Sequence, residues 1–168
     1  MVLDLVSHVS IVALAAALYL AFSPYNRSLA LLGTLWRVAE GTIMAFNEIN
    51  SILLLSVAQR FVAATGGEAV ALEAMGRTLM LSKDWGYKIG LAFFALGSLT
   101  YGVLFVSGGA VPRAIGWFGV GASLLGSATV WLNLLNPSLS MIASSPLLPY
   151  EVVLGGWLLL RGGQIGQR

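Results

Sequence analysis

The residues of this chain best equipped for chemistry sit where they are costly to carry. The apolar run Ser28 to Val57 is long enough to cross a bilayer, yet it holds Arg37, Glu40, Asn47 and Glu48. Charge at bilayer depth is expensive, so these groups must face a protein interior or a hydrated cavity. At about 100° per residue, Arg37, Glu40, Met44, Asn47, Glu48 and Ser51 fall on one helical stripe, and the rest of the surface is lipid-like. The chemistry on offer is proton or cation binding at Glu40 and Glu48, with Arg37 as counter-charge or as receiver of an anionic group. Arg37 and Glu40, three residues apart, can equally pair along one face and serve only to hold helices in register.

Other polar residues extend the stripe. If the turn near residues 23 to 27 closes an antiparallel hairpin, His8 lies level with Thr42 and Asp4 level with Asn47. Glu48, Asn50, Lys88, Asn133, Asn136 and Glu151 then belong to the same leaflet, which predicts a polar, hydrated vestibule at that end with Arg37 and Glu40 at its deeper limit. Asp4, His8, Glu48 and Glu151 are metal-ligating types, but a single histidine without an i, i+4 partner does not make a site, and no metal or cofactor is expected. Ser7, Ser51 and His8 supply nucleophile and base types, yet the chain has neither a Gly-x-Ser-x-Gly elbow nor a Walker loop, so no enzyme is expected.

The elements that must position these groups follow from the apolar runs. The chain is 168 residues long, 58% hydrophobic and 10% charged, against roughly 25% charged in soluble domains. This predicts a single all-α integral membrane domain, a polytopic bundle of about five spans: Val2 to Phe22, Ser28 to Val57, Gly86 to Val106, Pro112 to Leu135 and Leu148 to Leu160, the last short for a crossing. The first 26 residues carry no Lys or Arg, unlike a secretory signal, so the first segment is expected to stay as a helix. The long connection holds Leu72, Met75 and Leu79 at helical spacing, with Glu73 and Arg77 four apart. An interfacial amphipathic helix over Glu68 to Ser82 is predicted there.

Small residues recur every four positions at Ala13 and Ala17 in the first span and at Gly119, Ser123 and Ser127 in the fourth, a spacing that lets helices pack closely or associate as a homo-oligomer. Trp85, Tyr87, Trp117, Trp131, Tyr150 and Trp157 read as interfacial anchors. Scattered single cations argue against a nucleic-acid surface. There is no Cys, so redox compartment is not legible. Arg27, Arg113, Arg161 and Arg168 share one side, which points to an inward C-terminus and an outward long connection.

Leu18-Tyr19, Arg37 with Glu40, Gly86-Tyr87-Lys88-x-Gly90-Leu91, Leu96-Gly97, Val111-Pro112-Arg113, Gly116, Pro149-x-Glu151 and Gly156-Trp157-Leu158-Leu159 follow one another in order. In this order they resemble the bacterial integral membrane proteins grouped as domain of unknown function 4386, over nearly the whole chain. The resemblance implies a cell-membrane, multi-pass protein. It also implies six spans, of which this chain lacks the first. It supplies no activity. The functional expectation is a module that binds or passes a small polar solute or a proton through a charged intramembrane pocket. The alternatives are a structural or regulatory membrane partner and an intramembrane enzyme acting on lipid.

Overall fold

The computed structural model describes residues 2–109, 111–136 and 146–161. These form five helices: α1 (Val2–Phe22), α2 (Arg27–Phe61), α3 (Gly66–Gly108), α4 (Arg113–Leu135) and α5 (Leu147–Arg161). The first four are long and apolar enough to cross a membrane. Their outward faces are apolar too: Leu3, Val9, Leu20, Phe46, Leu124 and Leu132 are all exposed. A bundle that is oily outside and polar within is built for lipid, where helices satisfy their own backbone groups.

The chain turns where local chemistry dictates. After α1 the backbone N–H of Tyr25 returns to the Phe22 carbonyl, and the Asn26 side chain caps α2 by accepting from the Leu29 N–H at 3.0 Å. Gly109 ends α3 in the left-handed region, φ 65°, where glycine has no Cβ to clash. Pro112 follows, and its carbonyl accepts from the Ile115 N–H as α4 begins.

The long connection differs from expectation. Only residues 62–65 separate α2 from α3, and the amphipathic segment at 68–82 is the first part of one continuous helix of 43 residues. Nothing between Ser82 and Gly86 stops a helix. Lys83, Asp84 and Trp85 read as a loop by charge, but Lys88 and Asp84 pair at i, i+4 along the helix at 2.8 Å. At 1.5 Å per residue, α3 is about 64 Å long and α2 about 52 Å. Both exceed the roughly 30 Å hydrocarbon core, so their linked ends project past the depth that α1 spans.

Neighbouring helices run antiparallel with close approaches at small residues. In α1 and α2, Gly41 lies against the His8 carbonyl, and the Thr34 hydroxyl is 3.4 Å from the Ala15 carbonyl. Between α2 and α3, Gly86 packs on Asn47 and Gly90 on Met44, where a Cβ would stand 2.7 Å from the Met44 methyl. Asn47 locks that register by donating to the Lys83 carbonyl at 2.9 Å.

On α1 the buried contacts are Ala15 and Phe22, whereas Ala13 and Ala17 are exposed and take no part in the packing within the chain. The Ile11, Ala15, Leu18 and Phe22 face turns inward because its larger side chains bury more surface there. Gly119, Ser123 and Ser127 are buried inside the chain, with Gly119 against the Tyr150 ring of α5. That stripe packs helices of one chain and is not an exposed association face.

The fifth helix is the unusual one. Its 15 residues cover about 22 Å, short of a crossing. It begins inside the bundle: Leu147 packs on Gly126, and Leu147 and Leu148 line a cavity together with Glu40 and Phe94. Tyr150, only 1% exposed, is therefore a core residue and not an interfacial anchor. The far end of the helix joins an apolar seal in which Phe22, Ala30, Tyr101, Leu104, Phe105 and Val111 form the core, with Leu154, Trp157 and Leu158 packed against it.

Candidate functional site

Arg37 is the hub of the polar interior. Its guanidinium donates to Glu40 at 2.9 Å along α2 and to Glu151 at 2.8 Å on α5, and it lies 4.6 Å from the centroid of the Phe94 ring on α3. One cation is thus shared between two carboxylates and rests on an aromatic face, a placement suited to the planar, forked guanidinium. Three helices are tied at this point. With all three groups ionised, the cluster carries one excess negative charge. Glu40 is 5% exposed, while the Glu151 side chain is 41% exposed, so the two carboxylates differ sharply in access.

A cavity of about 360 Å³ borders this cluster, lined by Glu40, Glu151, Leu91, Phe94, Leu147 and Leu148, with Met44 and Tyr87 at one margin. Met44 and Tyr87 also line a second cavity, of about 570 Å³, whose other walls include Asp4, His8, Asn47, Glu48, Lys83 and Asp84. The two chambers therefore meet at a wall of one thioether and one phenol. The larger lies toward the start of α1, and the smaller lies deeper, above the apolar seal.

Glu48 is 8% exposed, and its Oε2 has no hydrogen-bond partner among the described residues. His8 Nδ1 and the Arg37 Nε are buried without partners in the same sense. Lys88 does not answer Glu48. It bonds Asp84 on its own helix, sits 5.0 Å from the Trp85 ring, and lines neither cavity. The Asn50 amide donates to Asn47 Oδ1 at 3.0 Å, so Asn47 is held between its neighbour and the α3 backbone.

The sequence-selected residues thus fall into two groups. Asp4, His8, Asn47 and Glu48 line the outer chamber, Glu40 and Glu151 line the inner one with Arg37 bonded behind them, and Lys88 belongs to neither. Glu151 lies deeper than the leaflet predicted for it, because α5 begins within the bundle. Phe94 and Tyr87 escaped selection as pocket residues; only the helical spacing of Tyr87, Leu91 and Phe94 on α3 hinted that they share a face. Among the described residues, no three His, Asp or Glu side chains are grouped as a metal site would need.

Fold and site together define a polytopic membrane helical bundle whose buried charged groups lie away from the apolar core at one end. Residues 1–162 match the family described as Domain of unknown function (DUF4386), and the chain belongs to that family. No curated protein and no solved structure matches it.

Proposed function

We propose that this protein binds, and passes along its two chambers, a proton or a small polar solute of positive charge. The observation that carries this reading is the sharing of Arg37 between Glu40 and Glu151 beside a cavity: two carboxylates and one guanidinium leave a negative charge that favours a cationic occupant. Glu48 offers a first carboxylate in the outer chamber, and Glu40 a second beyond Met44 and Tyr87. In this reading no bond of the solute is made or broken, and the protein is not an enzyme. Neither end has an excess of cations, but Arg27, Arg113 and Arg161 are spread over every connection at the sealed end, whereas Arg60, Arg77, Lys83 and Lys88 share one stretch with Glu68, Glu73 and Asp84; in this reading the sealed end faces the cytoplasm of a bacterial cell and the outer chamber faces away from it.

The test is flux in proteoliposomes of purified protein, driven by a pH gradient and read by an internal pH dye. Wild type should dissipate the gradient faster than empty vesicles, and Glu40→Gln, which keeps the shape and removes the charge, should abolish the difference. Undiminished flux in Glu40→Gln would overturn the reading. A second reading is favoured by the Arg37–Glu151 contact itself, which clamps α5 to α2: the cluster is a structural tie in a regulatory or scaffolding protein. It expects no flux in wild type and a change in stability alone in the variant.

A further inference from the structure

The outer chamber has a chemistry of its own. Asp4, Glu48 and Asp84 are its acidic side chains and Lys83 lies among them, and Asp84 is already paired with Lys88 at 2.8 Å. Acidic residues alone would not make a site, but Glu48 is more than nine-tenths buried, lines the chamber, and leaves Oε2 without a partner among the described residues. A buried carboxylate oxygen without a donor is costly, and an occupant bearing N–H groups or positive charge would relieve that cost. The rest of the wall is not what a bare ion needs. Met44, Met80, Leu54 and Tyr87 supply thioether, aliphatic and aromatic surface. Polarizable sulfur adapts to irregular apolar shapes, and an aromatic ring attracts an ammonium. The volume, about 570 Å³, falls within the range of small-molecule sites.

We infer that the outer chamber binds an organic ammonium, a protonated amine carried on an apolar body, with the ammonium at Glu48 and the body against Met44, Met80, Leu54 and Tyr87. This rests on the reading of the pocket as a cation-accepting path and names the class of solute that enters it. The amine can belong to a free solute or to the headgroup of an aminolipid; the chemistry at Glu48 is the same.

The experiment is calorimetric titration of phenethylammonium into the full chain in nanodiscs of phosphatidylcholine, which has no primary amine, with phenethyl alcohol as the neutral analogue. The expected result is saturable binding of the amine alone, weakened by about tenfold or more in Glu48→Gln and partly retained in Glu48→Asp, since loss of a buried charge partner is costly. Met80→Trp, at an exposed wall position that tolerates bulk, should fill the chamber and block binding without touching the carboxylate. Equal binding of amine and alcohol, or full binding in Glu48→Gln, would overturn the inference. Repeating the titration in nanodiscs containing phosphatidylethanolamine separates the sources: competition by the lipid identifies the headgroup, and its absence identifies a free amine. Glu40-dependent proton flux without amine binding at Glu48 would overturn this inference alone. Failure of both would overturn the underlying reading as well.

Discussion

Replacing Arg37 by Met leaves Glu40 and Glu151 facing each other without a cation, in a place where Glu40 has almost no access to solvent. The expected cost is about 3–5 kcal/mol, because removing one partner of a buried pair strands the other charge. Denaturant unfolding in mixed micelles measures it. Glu151→Gln should cost clearly less, since that side chain is 41% exposed and water replaces part of the lost contact. Half of this cluster was legible: Arg37 and Glu40 lie one turn apart, and helical spacing alone brings them together. Glu151 was visible as a polar residue but not as a partner, because 114 residues separate it from Arg37 and only the tertiary packing of α5 closes that distance. The unpartnered oxygen of Glu48 was equally out of reach, since a missing donor is a property of what surrounds a group.

At the scale of elements, the continuity of α3 carries a sharp expectation. Lys83→Pro should destabilise the protein by about 3 kcal/mol or more and lower its helical circular dichroism, because proline mid-helix removes a hydrogen bond and clashes with the preceding turn. A hinge or loop there would tolerate it. Charge misled the sequence reading at this point. Lys83 and Asp84 looked like solvent-exposed loop residues, whereas the uninterrupted helix pattern, with no proline from Gly66 to Gly108, was the stronger signal. Gly119→Leu tests the packing of α4 on α5: a side chain there meets the Tyr150 ring, so unfolding resistance should fall while the mass per particle, read by light scattering, stays unchanged. A dedicated subunit interface would show the opposite. The four-residue spacing of Gly119, Ser123 and Ser127 revealed a close approach but not its partner, and at Ala13 and Ala17 the same spacing marked an exposed face.

The whole molecule is asymmetric along its axis. One end is packed with the apolar side chains of Phe22, Tyr101, Leu104 and Phe105, and the other holds two chambers lined in part by carboxylates. Hydrophobic composition and run lengths were enough to foretell an all-helical membrane bundle with its polar residues gathered toward one end. They also showed that the fifth helix is short for a crossing, but not that it begins inside the bundle, since depth is set by what its first turn packs against. The central claim is that a charged interior is open to water from one side only, and the absence of native cysteine makes it directly measurable. Single cysteines at Glu48, Met44 and Leu91 would be exposed in proteoliposomes to a membrane-impermeant thiol reagent added to each face in turn. The account predicts labelling from the side of the α2–α3 link alone, fastest at position 48 and slowest at 91; failure to label position 48 from either side would contradict it.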